Sequence, residues 1–411
     1  MIVNMPHLRI IACCALLILT IGVMPPALGR DVRDDITVSA YAAPSQILNV
    51  LDIYENLLET SRYVGFGAQV GFRPRPENGD WFEKAFNYPE FGLGLWYQPL
   101  ASSLQFKGDS HLGNMLNVYG SGNWNFLKNT RVSFGPAVKL GISIAGSKYS
   151  SLTNQQNLYI GTNLEYFVAV GFEGAVKLAD RFALTFAVMG LHHSNGKQGV
   201  PNYGLNEVCL SAGPKYYISR ASVHKDTPTT PVKPEVRDFL TLSPYLGTGF
   251  HSCERIWTAT GRQGAAPMYQ RLMAGVDLAV RYHPVFSSGI GLDMIYTPNI
   301  ADVKACDKAQ YPEEYGGLSY CPVYFGLSLL QQFWYKRFEI HVKIGYYLFK
   351  HLGITEDWGK TYQKIGFRYS FRNNLYLGFD MLAVRFDSSD CLEFSIGYDI
   401  PLVRNSRIPA L

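Results

Sequence analysis

Apolar and polar residues alternate along most of the chain, and the alternation is clearest in the second half. Over residues 338–350 every second side chain is bulky and apolar, while the residues between them include Glu339 and Lys343. A period of two is typical of β-strands, which present successive side chains to opposite faces. The same pattern over 363–371 and 391–402 predicts a long series of strands.

The predicted strands cover 62–74, 89–99, 114–125, 130–143, 157–177, 181–193, 206–218, 240–251, 268–282, 288–296, 322–335, 338–350, 362–372, 374–385 and 391–402. This series has an odd number of members, whereas single-chain bacterial barrels have even numbers, so we expect roughly 14 to 16 strands. Short and long connections alternate along the series, and in such barrels the long ones face outward.

The two faces of these strands identify the kind of barrel. Bulky aromatics lie on one face, and charged or small residues lie on the other. A soluble lipocalin-type barrel also alternates, but it hides its apolar face inside. Aromatic residues make up 14% of the chain and charged residues 17%, which suits strands with aromatic girdles. We predict an all-β protein, a transmembrane antiparallel outer-membrane β-barrel, built as one enlarged barrel or two smaller ones.

The first residues predict export. Residues 1–29 combine a weakly basic start, an apolar run and a small-residue exit, which is typical of a secretory signal peptide. We expect its removal before Arg30 and delivery to the outer membrane. The net charge of +4 is too small to indicate a nucleic-acid partner.

The rest of the chain divides into four predicted parts. Residues 30–61 form an N-terminal segment with a short amphipathic helix at 44–60, and 62–218 form a first barrel portion. A Pro-rich connection spans 219–238, and 239–411 form a second barrel portion of unknown role.

The mature chain keeps five cysteines in an oxidising compartment. They are Cys209, Cys253, Cys306, Cys321 and Cys391. Cys306 and Cys321 fall in one long loop and are the predicted disulfide pair. No CxxC pairing indicates a zinc site.

One segment, residues 190–208, departs from the alternating background. It places His192, Ser194 and Asn195 before a short loop and Asn206 after it. Nucleophilic acyl transfer needs a hydroxyl, a base that takes its proton, a group that orients the base, and donors for the developing oxyanion. The segment holds a residue of each kind. Because a His-x-Ser at a strand end is also ordinary loop chemistry, the pattern alone leaves both interpretations open.

Strand geometry predicts which of these side chains meet. His192 and Ser194 share a face with the bulky residues of the run 182–188, so both should look toward lipid, and His193 toward the lumen. On the returning strand Asn206, not Glu207, is in phase with the apolar face. Asn206 is therefore the residue predicted to meet His192, and an amide can orient a catalytic imidazole.

In order and spacing this segment resembles the lipid A 3-O-deacylases of the outer membrane, also called acyloxyacyl hydrolase-like proteins. Their signature is similar to His-x-Ser-Asn, a short loop, Pro-Asn-x-Gly, and then an acidic or amide residue. Here the sequence reads His192-His193-Ser194-Asn195, then Pro201-Asn202-Tyr203-Gly204, then Asn206. The resemblance extends over roughly residues 85–218 and includes the Asn154-x-x-Asn157 run.

The resemblance implies Ser194 as the nucleophile, His192 as the base and Asn195 as part of the oxyanion site. It also implies a site on the lipid-facing wall and no metal or organic cofactor. The best-known members carry Glu at the position that matches Asn206. The neighbouring Glu207 could replace Asn206 only if a bulge shifted the strand register.

We therefore expect an outer-membrane esterase that removes an ester-linked acyl chain from lipid A (lipopolysaccharide) by a Ser-His-Asn/Glu mechanism. Its oligomeric state stays open. One alternative is a pore or uptake barrel, for which the predicted lumen-facing charges Lys343, Arg368 and Asp399 argue. Another is a catalytically lapsed barrel that only binds lipopolysaccharide, for which Asn206 argues.

The second half lies outside the resemblance. The segment there that is most similar to the His-x-Ser motif is residues 350–353. It contains His351 but lacks the serine, and we predict that it is inert.

Overall fold

The computed structural model describes residues 34–48, 58–75, 79–128, 131–218, 231–259, 261, 266–386 and 388–404. The predicted signal peptide, residues 1–29, lies outside this range. So does most of the predicted Pro-rich connection. The chain divides into two compact units, one carrying strands β1–β11 and the other β12–β20.

The strands of the first unit are β1 (Asp34–Ile47), β2 (Leu58–Thr60), β3 (Arg62–Pro74), β4 (Glu90–Gln98), β5 (Gln105–Phe106), β6 (Met115–Asn123), β7 (Leu127–Lys128), β8 (Val132–Ala145), β9 (Leu164–Ala179), β10 (Phe182–Ser194) and β11 (Leu205–Tyr217). Its short helices are α1 (Trp81–Ala85) and α2 (Leu100–Ser103).

The strands of the second unit are β12 (Asp238–Ser252), β13 (Met268–His283), β14 (Phe286–Tyr296), β15 (Val323–Tyr335), β16 (Phe338–Phe349), β17 (Thr361–Ser370), β18 (Leu375–Val384), β19 (Ser388–Tyr398) and β20 (Ile400–Arg404). Its helices are α3 (Glu254–Ala259) and α4 (Ile300–Gln310), with a 3₁₀ turn at Tyr315–Gly317.

Each unit is a closed antiparallel barrel of eight strands. In the first barrel the order is β6-β4-β3-β1-β11-β10-β9-β8, and pairing between β6 and β8 closes the ring. In the second barrel β12 pairs with both β13 and β19, and β20 continues the last strand along β12. The predicted fold class is confirmed, and of the two arrangements left open the structure has two smaller barrels.

The strand missing from the predicted series is β1. Its buried face carries Tyr41, Ala43 and Ile47, but its outer face is weak in bulky apolar residues. The short helix predicted at 44–60 is wrong where the structure describes it, because 44–47 ends β1 and 58–60 is β2. The local pattern of apolar residues does not predict β1, because this strand forms by pairing with β3 and β11, which lie elsewhere in the chain.

The outer walls are apolar and the interiors polar. On β10 the outward Phe182, Leu184 and Val188 are 44–52% exposed, whereas every inward neighbour from Ala183 to His193 is buried. This is the polarity of a barrel whose outer face meets lipid. No helix in the described part of the chain is long and apolar enough to cross a membrane.

The interior of the second barrel is filled by ion pairs. Asp293, 1% exposed, accepts from Lys364 at 3.2 Å, from Lys343 at 3.3 Å and from Tyr362 at 2.7 Å. Arg368 is 3% exposed and pairs with Asp277 at 2.5 Å. These charges are buried against one another, and so they do not line an open channel.

Asp399, the third charge that argued for a pore, is likewise engaged. Its carboxylate accepts from Ser243 at 2.7 Å and from Ser370 at 3.3 Å. All three charges are therefore engaged with other interior side chains of this barrel.

The predicted Cys306–Cys321 disulfide is wrong. Both thiols are free, as are those of the other three described cysteines. Cys306 lies on α4, where it packs with Cys253, Ile256 and Val303. The helix thus directs this thiol into an apolar cluster instead of toward the loop that carries Cys321.

The Asp293 network yields a stability prediction. Asp293→Asn removes the carboxylate that Lys343 and Lys364 share. Each ammonium group keeps one other partner, Asp277 for Lys343 and Glu393 for Lys364, so the cost should stay below the roughly 3–5 kcal/mol of a buried charge left without a partner. We expect a lower urea midpoint for the full chain in detergent micelles. Glu313→Gln, at an exposed loop position, is the control and should leave the midpoint unchanged. Equal midpoints for both variants would contradict a stabilising role of the network.

Candidate active site on the wall of the first barrel

The last hairpin of the first barrel brings the predicted site residues together. In the register of β10 with β11, His192 lies directly opposite Asn206. Both are in phase with the outward row that includes Phe186 and Val188, and His192 is exposed on the outer wall. Ser194, two residues further on, ends β10 on the same face. The register continues without a bulge through this pair.

His192 and Asn206 are joined by a hydrogen bond of 2.8 Å between Nδ1 and Oδ1. An amide oxygen only accepts, so in the neutral imidazole Nδ1 carries the proton. Nε2 then presents its lone pair, which is the form a general base requires. Asn206 thus fixes both the orientation and the tautomer of His192.

Gly204 supports the opposite side of the imidazole. A Cβ at this position would lie 2.7 Å from Cε1 of His192, and the backbone has a φ of +73°. Glycine is therefore required twice, for the backbone conformation and for the close approach of the ring. The Gly204 N–H donates to the carbonyl of Tyr159 at 3.2 Å. This hydrogen bond connects Gly204 to the loop before β9.

That loop is held by the asparagines that the sequence resemblance includes. Asn154 is 3% exposed, and its side chain bonds to His111 and to the carbonyl of Lys148. Asn157 is fully buried and accepts from the N–H of Ile160 at 3.2 Å. These residues build the support of the site and are not part of its reactive face.

Asn202 connects the two residues that follow His193. Its Nδ2 donates to the Ser194 Oγ at 3.1 Å, and its Oδ1 accepts from the Asn195 N–H at 3.1 Å. The sequence motif includes Asn202 but indicates no role for it. The sequence alone does not show the contact with Ser194, because the loop between β10 and β11 brings the two residues together.

Asn195 would have to rearrange before it could donate a hydrogen bond to an oxyanion at Ser194. Its side chain is fully buried, and its N–H already donates to Asn202. In this arrangement the side-chain amide of Asn202 donates to the Ser194 hydroxyl.

Glu207, the alternative to Asn206, faces the barrel interior. It is 1% exposed and accepts hydrogen bonds from Tyr63 and, at 2.9 Å, from Gln98. His193 is also buried inside, 3.7 Å from the Glu207 carboxylate. Because no bulge shifts the register, the structure does not bring Glu207 to His192.

The second barrel has a hydroxyl–imidazole pair of its own. Ser319 and His351 are both exposed and lie 2.7 Å apart, from Oγ to Nδ1. The ring of His351 stands edge-on to Phe349 at the end of β16. Residues 350–353 lack a serine, but a different loop places Ser319 beside His351. The local sequence around His351 does not predict this contact.

One cluster in the second barrel has metal-ligand chemistry. His251, Glu356 and Asp390 offer ligand atoms within 4.8 Å of one another. Arg271, however, already binds Asp390 at 2.7 Å and Glu356 at 3.4 Å. Burial alone would raise the pKa of Glu356, but His251 and then Arg271 lower it to about 2. A compensated ion-pair cluster of this kind does not fit a divalent cation.

Residues 242–402 match the family model described as acyloxyacyl hydrolase, C-terminal domain. The match runs from β12 to β20 and covers less than half of the chain. The prediction that the second half of the chain lies outside the resemblance is therefore wrong, because the matched residues lie in that half. The resemblance over 85–218 stays a prediction. No curated protein matches the chain.

Solved structures show only distant similarity. Neisserial surface protein A is 13% identical over 44% of this chain and 97% of its own, with a TM-score of 0.28. A mutant of the Rh. blastica porin is 10% identical over 89% and 100%, with a TM-score of 0.17. A deletion mutant of the TodX monoaromatic hydrocarbon channel is 11% identical over 93% and 94%, with a TM-score of 0.17. At these values the likeness carries no argument about function.

The His192–Asn206 bond predicts a tautomer. The ¹⁵N NMR spectrum of the chain labelled at histidine should show His192 with a protonated Nδ1 and an unprotonated Nε2. Asn206→Leu, which removes the acceptor, should return the ring to a tautomer mixture. A wild-type His192 that is predominantly protonated at Nε2 would contradict this geometry.

Proposed function

We propose that the chain is an outer-membrane esterase that removes an ester-linked acyl chain from lipid A. The observation that carries the proposal is the outward-facing pair of Ser194 and His192 at the loop end of β10, with His192 held by Asn206 at 2.8 Å. A hydroxyl and an oriented base on a lipid-facing wall can reach an ester only in a lipid of the same leaflet. The acyloxyacyl hydrolase match of the second barrel agrees with this substrate class.

The reaction follows from the roles of these side chains. The Ser194 Oγ attacks the ester carbonyl while its proton passes to Nε2 of His192, giving a tetrahedral oxyanion and an imidazolium. Collapse breaks the bond to the alcohol oxygen of the ester, which takes the proton from His192. Water then gives a proton to His192 as it attacks the acyl-serine. Collapse of this second intermediate breaks the bond to the Ser194 Oγ, which takes the proton back, and the fatty acid is released.

Asn206 and Asn202 are the supporting residues. Asn206 orients the imidazole but carries no charge, so it stabilises the imidazolium less than a carboxylate would. The Asn202 amide donates to the Ser194 Oγ at 3.1 Å. We assign to it the role that the sequence motif suggested for Asn195.

Three rivals remain testable. The first places the same chemistry at Ser319 and His351, because the matched family lies on that barrel. The second is a lapsed barrel that only binds lipopolysaccharide, and the third is a pore. We further propose that residues 1–29 are removed on export.

Removing the nucleophile or the base should abolish fatty-acid release. With purified lipopolysaccharide in mixed micelles, Ser194→Ala and His192→Ala should each lower the rate at least about 10³-fold, because each removes an obligatory proton-transfer or bond-forming group. The measurement is mass spectrometry of released fatty acid. Heat-modifiable mobility on gels checks that both variants still fold.

Ser319→Ala is the matched control, since it removes the hydroxyl of the second barrel's Ser–His pair. It should retain the wild-type rate. A loss confined to Ser319→Ala would move the site to the second barrel. Wild-type binding without any release would favour the lapsed barrel, and conductance in planar bilayers with unchanged lipid A would favour the pore.

The orienting residue gives a second kinetic prediction. Asn206→Ala should lower kcat by about 10²-fold or more, at the lower end of what a positioned base contributes. Asn206→Glu should retain or raise kcat, because a carboxylate also accepts from Nδ1 and stabilises the imidazolium. Equal rates for the wild type and Asn206→Ala would contradict the role of this residue.

A further inference from the structure

The outer wall of the first barrel carries a groove across β3, β1 and β11, which we call the β1–β11 groove. Its volume is about 440 Å³, within the range of roughly 300–1,000 Å³ that small-molecule sites occupy. The outward residues around it are Pro44, Gln46, Arg62, Val64, Val208 and Leu210. It lies on the same face as His192 and Asn206.

The groove has a cause in the sequence. The register between β1 and β11 pairs Ala42 with Ala212 and Ser45 with Cys209, and the pairs between them are missing. Pro44 falls in this gap, and proline offers no backbone N–H to a ladder. On the other side β1 pairs with β3 without interruption through Pro44. The ladder around Pro44 is therefore interrupted on its β11 side and continuous on its β3 side.

The groove is continuous with the candidate active site. Val208 at its edge lies directly opposite Gly190, which is two residues before His192 on the same face. A Cβ at Gly190 would meet no atom nearer than 3.9 Å. The outer wall is therefore open at Gly190, two residues before His192 on the same face, and we call this opening the notch. Strands in a sheet lie about 4.8 Å apart, which puts β1 about 10 Å to the side of β10.

We propose that this wall holds two neighbouring acyl chains of one lipid, the scissile chain over Gly190 and a second chain in the β1–β11 groove. The inference rests on the proposed esterase function and names its substrate class, a lipid with several adjacent acyl chains. The exposed Arg62 at the loop-side end of the groove lies where an anionic headgroup would sit.

The groove orients its occupant more than it attracts it. Lipid tails are as apolar as the groove, so moving a chain from the bilayer into it gains little free energy. Holding the second chain, however, fixes the lipid relative to Ser194, and fixed geometry raises the rate of the chemical step. The effect of filling the groove should therefore fall on kcat and only on substrates with more than one chain.

Two matched variants test this. Val64 and Val70 are 43% and 39% exposed on the outer face of β3, but only Val64 borders the groove. Val64→Trp should lower kcat on lipid A at least tenfold and leave the hydrolysis of p-nitrophenyl palmitate, a single-chain ester, unchanged. Val70→Trp should change neither. Gly190→Leu, which fills the notch, should lower the rates on both substrates.

A second measurement does not depend on turnover. Lipid A with diazirine-bearing acyl chains, photolysed with the Ser194→Ala chain, should label the segments 44–46 and 208–210. Val64→Trp should remove this labelling and Val70→Trp should keep it. Labelling spread evenly around the wall, or a Val64→Trp effect that is equal on both substrates, would overturn the groove. A wild type that labels here but releases no fatty acid would overturn the esterase proposal alone.

Discussion

Closure of the hydrogen-bonded ring is the constraint on which the rest of this structure depends. In lipid, an unpaired backbone N–H or C=O has no water to bind, so a membrane-spanning sheet must pair its first strand with its last. Each barrel here does so, through β1 with β11 and β12 with β19. Once the ring is closed, alternation assigns every side chain either to lipid or to the interior.

The candidate site uses this assignment directly. The register that pairs β10 with β11 puts His192 opposite Asn206 and sends His193 and Glu207 inside. A shift of one residue would exchange the two sets. The same ladder that stabilises the hairpin thus selects an amide over a carboxylate as the partner of His192, and it leaves the hydroxyl of Ser194 on the side where lipid esters lie.

Much of this was predictable from sequence, because alternation reports the facing of each residue without knowledge of its partners. It identified the barrel class, fifteen of the sixteen barrel strands and the phase of His192, Ser194 and Asn206. The strand β1 was not predicted because its outer face is weakly apolar and contains a proline, Pro44, which is unusual within a strand. The bond from Asn202 to Ser194 and the pair Ser319–His351 escaped because loops bring those partners together. The pairing of Cys306 failed because helix α4 directs its thiol away from Cys321.

The central claim is that an ester in lipid A is cleaved at the wall of the first barrel. Mass spectrometry of purified lipid A, before and after incubation with the pure full-length protein, tests it most directly. We predict that the lipid loses the mass of one acyl chain and that one equivalent of free fatty acid appears. Lipid A of unchanged mass after incubation with folded protein would contradict the account.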